Sequence, residues 1–491
     1  MLEFIKNKLI NGTYVTLFVL LFISVMIPVS LGYNNVWNCF LTLTLLQLAR
    51  ISRLLQCVLA IILFLLSFYM PIGIQFGRMN YGFVISAIET DYHETKEFLK
   101  GILGLPLLLL FISWAALYYY ITLPVYKLRR KILLVLGVLF FSLAINSYPK
   151  RMIKNFVGYI IQSKKDLTLL KDEALIPDTF TDVSSHPRYK NIIIIIGESV
   201  AANYLSLYNY PHNNTPWLKT APGFFLENYI STAPNTFLSL PRTLALSDGD
   251  QVTFNNNVVT LANRAGYDTY WISNQGFVGE YDTPATVIAM RAKHRIFLKR
   301  GDYNSALIDD FTMLKFLPDI LSKEQKKVIF IHMIGSHPDT CERVIGYPQR
   351  FTVSDKQEIN CYLASINKLD EFVHKVYDYA KDAQSPFVLT YFSDHGMTVD
   401  SGRRPVRHGG DEKQNYHVPF FIITDTATVH KTIDTPVSAY QFPNIFATLA
   451  GITSRQIIPL RIADIRPSEI KVFNGKEKVN YQQLSESVLI K

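Results

Sequence analysis

The apolar positions divide the chain near residue 148. Before that point they form long unbroken runs; after it they come in short bursts between polar stretches. Five runs stand out, Thr13–Leu31, Val36–Ala49, Leu54–Phe76, Ile102–Leu123 and Ile132–Ser147. Crossing the hydrocarbon of a bilayer takes about 20 residues, with a range of about 17–25. The first, third and fourth runs meet that length, the second is short and the fifth marginal, and the pattern predicts five membrane spans. The first run is too long for the core of a cleaved signal peptide, no A-x-A-like site follows it, and further spans come after. Residues 1–148 therefore read as a transmembrane domain. Residues 149–188, with Pro177 and Pro187, read as a linker with some helix, and 189–491 as a globular domain.

Basic residues orient the spans. Lys6 and Lys8 precede the first run, Arg50 and Arg53 lie between the second and third, and Lys127, Arg129, Arg130 and Lys131 lie between the fourth and fifth. Placing all three groups in the cytoplasm leaves the globular half outside. Lys150, Arg151 and Lys154 run against this bias, but the connector before the fifth span carries the denser cluster. The loop holding Glu89 and Glu94 then lies on the outer face.

The globular half changes period. Asn191-Ile-Ile-Ile-Ile-Ile196 is a continuous β-branched run, the pattern of a strand buried on both faces. Similar short runs follow at Tyr267–Ser273, Val328–Ile334, Phe387–Phe392 and Val418–Ile423, with helical patterns between them, such as Asn304–Leu321 and Ser354–Asp382. Strand alternating with helix predicts an α/β domain built on a mainly parallel sheet.

Such sheets bind ligands at the carboxyl ends of their strands. Gly197 and Glu198 follow the first run, Gly335, Ser336 and His337 the third, and Ser393, Asp394, His395 and Gly396 the fourth. One histidine after a strand is usually a loop hydrogen-bonder. Three strand ends carrying carboxylate and imidazole together point to a divalent metal such as zinc. Between the first two strands lies a hydroxyl-rich segment, Ser231 to Arg242, that opens a helical pattern. A hydroxyl at a helix N-terminus beside a metal ionises more readily and becomes a nucleophile; simple N-capping is the alternative.

Composition refines this picture. The net charge of +9 comes without a basic tract of five or more, so it speaks for anionic lipid or lipopolysaccharide as neighbour and against nucleic acid. Of four cysteines, Cys39 and Cys57 fall in apolar runs. Cys341 and Cys361 lie in the globular half. In an oxidising compartment they are expected to pair; the alternative is two unrelated buried thiols.

Taken together, these residues resemble the phosphoethanolamine transferases of the alkaline phosphatase/sulfatase superfamily, and the resemblance covers essentially the whole chain. Gly197-Glu198-Ser199, with Tyr204 to Tyr210 and Asn214-Thr215-Pro216, resembles the family's opening motif. Thr236 to Pro241 resembles its nucleophile segment, His332 to His337 its third motif, Ser393-Asp394-His395-Gly396 its fourth, and His408-Gly409 with His417-Val418-Pro419 its last. The resemblance implies one zinc held by Glu198, Thr236, Asp394 and His395, with Thr236 as nucleophile. It implies His337 and His408 as catalytic and substrate-side residues, with room for a second metal or the donor phosphate. It places Asn235, His417, Glu89 and Glu94 toward the substrates. Phosphatidylethanolamine is the implied donor, an envelope glycan such as lipopolysaccharide lipid A or core the acceptor, and a monomer in a Gram-negative inner membrane, with its catalytic domain in the periplasm, the implied form.

The sequence departs from the family in three ways: Phe237 where alanine is frequent, Arg242 where cysteine is frequent, and a single cysteine pair. None removes a ligand, but they leave the acceptor open. A glycerol-phosphate transferase of the lipoteichoic acid synthase type and a metal-dependent phosphodiesterase or sulfatase are the competing enzymes, and a non-catalytic scaffold is the competing non-enzyme. Ser239 is a rival nucleophile in the sulfatase pattern C/S-x-P-x-R. Here, however, Arg242 comes one place early and Thr243 stands where the arginine belongs.

Overall fold

A run of five isoleucines has no polar side to show to water, and it becomes the middle of a sheet. The computed structural model describes residues 2–79, 84, 104–127, 129–248, 251–275, 283–298, 308–348, 351–402, 405–466 and 468–490. They divide into two compact units, Met1–Ser163 and Lys164–Lys491.

In the second unit nine strands form one sheet. In chain order they are β1 (Asn191–Gly197), β2 (Gly223–Ile230), β3 (Asp268–Ser273), β4 (His294–Phe297), β5 (Lys327–His332), β6 (Phe387–Ser393), β7 (His417–Thr424), β8 (His430–Ile433) and β9 (Val437–Ser438). Their order across the sheet is β8-β2-β7-β6-β1-β5-β3-β4, with β9 beside β2. The inner block β6-β1-β5-β3-β4 is parallel. β7 runs antiparallel to both β6 and β2, so the sheet is mixed. Hydrophobic patterning located β7 but carries no information on strand direction. Strands β2, β4 and β8 were not anticipated: β2 is only partly buried, and the other two are short and half exposed.

Alternate isoleucines of β1 feed two cores. Ile193 and Ile195 pack with a long helix, Gln357–Asp382, through Ile359, Leu363, Ile366, Val373 and Val376. That helix begins three residues later than the sequence pattern predicted. Ile192, Ile194 and Ile196 pack on the other side against helices Thr236–Leu244, Val258–Arg264, Pro284–Ala289 and Phe442–Ala450. Of the helix expected over Asn304–Leu321, the described part is a 3-10 segment, Asp310–Phe316, and a short helix, Leu317–Leu321, with Pro318 in its first turn.

In the first unit two helical stretches, Gly12–Ser30 and Leu105–Thr122, are long and apolar enough to cross a membrane. The pair Arg130–Ile145 and Tyr148–Lys165 meets that test together but bends by 41° at its break, while Val36–Ala49 and Arg53–Ser67 are shorter. By length alone the described helices give two spans, or three with the bent pair. The five-span expectation goes further than they do. The predicted third span divides at Phe68 and Tyr69, just before Pro71. The bent pair's second arm belongs to a helix over Tyr148–Leu175, so much of the expected linker is helical. Large apolar side chains such as Phe18, Leu134 and Val138 point outward, the exposure expected of a lipid-facing surface. Arg50, Arg53 and Gln56 donate to carbonyls at and just past the end of the Leu105–Thr122 helix, where intrahelical donors run out. Arg50 donates to Pro124 O (3.1 Å), Arg53 to Leu123 O (3.3 Å), and Gln56 to Tyr120 O (2.7 Å). Arg50 and Arg53, from the basic group between the second and third apolar runs, thus serve the end of a helix.

Asp370, on the Gln357–Asp382 helix, accepts the N–H groups of Trp217 (3.0 Å) and Leu218 (2.9 Å). Burial pushes its carboxyl up to about 6, against the pull of those two donors. The folded state then binds this proton more tightly than an unfolded chain, whose aspartates titrate near 3.9. The resulting stabilisation is complete below about pH 4 and is lost as pH rises through about 6. Asp370→Asn is expected to flatten the melting-temperature profile across that window; an unaltered slope would show that another group is its source.

Candidate active site

Four parallel strands end side by side, and their C-terminal turns build the site. Gly197 closes β1 against the Tyr391 ring; a Cβ there would lie 2.2 Å from the phenol oxygen. Glu198 follows, and Ser199 turns the chain at φ 63°. Asp394 and His395 follow β6, the strand paired with β1. Thr236 is the first residue of the helix Thr236–Leu244, whose N-cap is Asn235. The Asn235 side-chain oxygen accepts from Leu238 N at 3.0 Å and so caps this helix.

These turns bring the Glu198, Thr236, Asp394 and His395 side chains together. The Thr236 hydroxyl donates to Glu198 Oε2 at 2.9 Å and lies 3.3 Å from His395 Nε2. His395 Nε2 is 3.1 Å from Glu198 Oε1 and 3.7 Å from Asp394 Oδ2. Asp394 Oδ1 accepts from the N–H groups of His395 (2.8 Å) and Ser199 (3.3 Å), and Ser231 Oγ donates to the Asp394 carbonyl. His395 Nδ1 donates to Gly396 O at 2.9 Å, which turns Nε2 to the carboxylates, the orientation a metal-bound imidazole needs.

The cluster is almost dry, with Glu198, Asp394 and His395 each exposed by 1% or less. Burial, and then the charge of Glu198, pushes the Asp394 carboxyl up to about 8. Burial opposes ionisation of Glu198 too, but His395, His337 and the Ser199 hydroxyl outweigh it and hold that carboxyl well below the usual range. Burial also disfavours charge on His395, yet Asp394 and Glu198 raise it to about 9. The pocket thus draws in positive charge. Among the described residues Asp394 Oδ2 is buried with no hydrogen-bond partner, and one ligand atom each from Glu198, Asp394 and His395 lies within 4.8 Å of the others. Three such donors, one orphaned, fit a divalent cation, and mixed carboxylate and imidazole suit zinc.

His337 and His408 stand beside the cluster. Ring centroids are 4.8 Å apart for His395 and His408 and 6.2 Å for His337 and His408. The His337 loop is held from behind. Gly335 has φ 49°, and a Cβ there would meet Glu198 O at 2.9 Å. Arg343 Nε donates to His337 O at 2.9 Å, Ser365 Oγ to Ser336 Oγ at 2.7 Å, and Lys368 Nζ to Arg343 O at 2.7 Å. Cys341 and Cys361 form a disulfide that ties the same loop to the Gln357–Asp382 helix.

Three expected site residues and the rival nucleophile remain to be located. His417 begins β7, and its Nε2 meets the Glu227 carbonyl at 2.6 Å, a contact with the neighbouring strand. Glu89 and Glu94 fall outside the described residues. Ser239, the rival nucleophile, is fully buried and its hydroxyl has no hydrogen-bond partner, whereas Thr236 is only partly buried.

Three neighbours of the cluster were missed: Ser199, whose hydroxyl donates to Glu198 Oε1 at 2.6 Å; Gln275, 3.3 Å from Glu198 Oε2; and Asp310. Asp310 accepts from Ile334 N, Gly335 N and Asn274 Nδ2, and so locks two of the turns together. Applying the strand-end rule to β3 as well would have pointed to Gln275. Nothing local to Asp310 in the sequence marks it.

Residues 190–452 match the sulfatase family. Over 502 aligned residues the chain is 28% identical to phosphoethanolamine transferase OpgE of Escherichia coli, covering 94% of this chain and 92% of that one. It is 31% identical over 409 residues to a putative phosphoethanolamine transferase of Haemophilus influenzae, covering 79% and 81%. In fold it is similar to the integral membrane lipooligosaccharide phosphoethanolamine transferase A of Neisseria meningitidis, with TM-score 0.61 and 17% identity over 89% of this chain and 96% of that one. It is also similar to the zinc complex of the periplasmic domain of EptC from Escherichia coli, with TM-score 0.55 and 19% identity over 63% and 98%.

Asp310→Asn offers a direct check on the turn architecture. The new amide would set a donor against Gly335 N, leaving a buried group unsatisfied at a cost of about 1–3 kcal/mol. Thermal melting of the purified chain is expected to fall accordingly; an unchanged midpoint would show that the turns do not depend on this carboxylate.

Proposed function

The chain belongs to the sulfatase family and, within it, to the phosphoethanolamine transferases; on that premise we propose that it moves phosphoethanolamine from phosphatidylethanolamine to a cell-envelope acceptor through a covalent intermediate on Thr236. The observation that carries this reading is the Thr236 hydroxyl, at the head of a helix, hydrogen-bonded to Glu198 and facing His395.

Glu198, Thr236, Asp394 and His395 would hold one zinc, which when bound supplies positive charge that eases ionisation of the hydroxyl and neutralises phosphoryl oxygens. The chain's own residues do the rest. Helix-end N–H groups add to the field at Thr236. Its oxygen attacks the donor phosphorus, the new O–P bond replaces the bond to diacylglycerol, and the hydroxyl proton leaves along the existing contact with Glu198 Oε2. His337 or His408 donates a proton to the departing diacylglycerol oxygen and stabilises the charge that develops on phosphorus-bound oxygen. A hydroxyl or phosphate of the acceptor then attacks the phosphothreonine, and the threonine oxygen leaves with a proton returned by the same route. The acceptor is an envelope glycan, in lipopolysaccharide lipid A or core or in the periplasm. Asn235, His417, Glu89 and Glu94 stay assigned to the substrate side in this reading.

A lipid donor also accounts for the apolar first unit. Residues 1–148 serve as a multi-pass anchor in a Gram-negative inner membrane, 149–188 connect, and 189–491 work in the periplasm as a monomer. Cys341 and Cys361 are the pair that this compartment oxidises.

Thr236→Ala is expected to lose transfer by on the order of 10⁴-fold or more, the scale of removing a nucleophile. Ser239→Ala should leave it near wild type. Intact-protein mass after incubation with donor alone should show one added phosphoethanolamine, mapped to Thr236. Full transfer by Thr236→Ala would refute the assignment. Chelation should abolish transfer and zinc should restore it; activity that survives thorough chelation would remove the metal from the reading.

A further inference from the structure

Four strand ends converge on the cluster, yet the proposed chemistry uses only three of them. The fourth belongs to β3, which ends at Ser273 and is followed by Asn274 and Gln275. Gln275 Nε2 lies 2.7 Å from Met333 O and 3.3 Å from Glu198 Oε2. Both partners are acceptors, so the amide spends one hydrogen on each.

This side chain starts from a backbone fixed at several points. Gln275 N donates to Ser273 Oγ (3.1 Å) and Asn274 N to His332 O (2.9 Å). The Asn274 amide donates to Ile308 O (2.7 Å) and to Asp310 Oδ1 (2.8 Å). Met333 N in turn donates to Ile196 O, which ties the Met333 carbonyl carrier to β1 itself. Gln275 therefore approaches Glu198 from a rigid frame.

The two oxygens of Glu198 are then held separately. Oε1 receives the Ser199 hydroxyl at 2.6 Å, from the next residue in the chain. Oε2 receives Gln275 from a different strand, and it is also the oxygen that accepts the Thr236 hydroxyl. Without Gln275, Oε2 would keep only the Thr236 hydroxyl among the described residues, while Oε1 would keep Ser199 and His395, so the oxygen facing Thr236 would lose its one donor from the β3 end.

We propose that Gln275 is a positioning residue for Glu198, fixing Oε2 so that zinc binds tightly and Thr236 is aimed. The inference rests on the reading of Glu198 as a zinc ligand. Outer hydrogen-bond partners of ligating groups typically change metal affinity by about 10–100-fold when removed.

The test uses the full-length chain in detergent, with zinc affinity measured by competition against a chromophoric chelator. Gln275→Met keeps length and bulk but removes the donor. It is expected to weaken zinc by about 10–100-fold, to recover transfer as zinc is raised to saturation, and to leave the KM for donor unaltered. A merely structural role would lower the melting temperature without that dependence on zinc. Should Gln275→Met fail to fold, Gln275→Asn, which keeps the amide but is too short to reach, carries the same expectation. Zinc affinity equal to wild type in a folded variant overturns the proposal. This readout needs no lipid donor. If wild type forms no phosphoethanolamine adduct on Thr236, the transfer reading fails, while weakened zinc in Gln275→Met still upholds the positioning role.

Discussion

Two carboxylates share one imidazole in a pocket that excludes water, and the rest of the catalytic unit is organised around that arrangement. Removing a charged group from water costs several kcal/mol even after relaxation, and like charges side by side add to it. Glu198 and Asp394 bear that cost. Hydrogen bonds from Ser199, Gln275, Thr236 and backbone N–H groups offset part of it, and His395 offsets more. One oxygen, Asp394 Oδ2, receives no donor from the described residues. A divalent cation bound between the carboxylates and the imidazole would complete the compensation.

Holding such a cluster requires strands that do not move. β1 is buried along its whole length and flanked by β5 and β6, so the turns after the three strands are placed relative to one another by ladder hydrogen bonds. Packing on both faces then fixes the sheet. Thr236 arrives from outside this block, at the head of a helix whose N-cap residue, Asn235, sets where the first turn begins. The Thr236 hydroxyl is thus carried by a helix end and its partners Glu198 and His395 by strand ends.

Much of this was legible in the sequence, for definite reasons. Ile192–Ile196 can only be a buried strand, and Glu198, Asp394, His395 and His337 each stand within a few residues of such a run. What was not legible depends on partners distant in sequence. The reversed direction of β7 leaves no mark on its hydrophobic pattern. The capping of the Thr236–Leu244 helix by Asn235 is a local contact, but which hydroxyl it places beside Glu198 depends on the assembled fold. Asp310 acts through a contact 25 residues away that only the assembled turns reveal, and Gln275, though it stands at a strand end, meets a partner 77 residues away. The membrane helices show the opposite problem: apolar runs were easy to find, but their breaks at Phe68 and Ser147 depend on proline placement and local packing.

The helix Gln357–Asp382 carries Cys361, Ser365 and Lys368 at a spacing of four and three, one face of a helix, and all three grip the His337 loop. Nine residues past the cysteine, Asp370 secures Trp217 and Leu218. Each residue of an α-helix advances about 100° around its axis. Inserting or deleting one residue between 361 and 370 would therefore turn part of this set away from its targets at once. Length variation among descendants of this chain should accordingly be forbidden in this stretch, because one added residue would loosen the His337 loop and the Trp217 turn together.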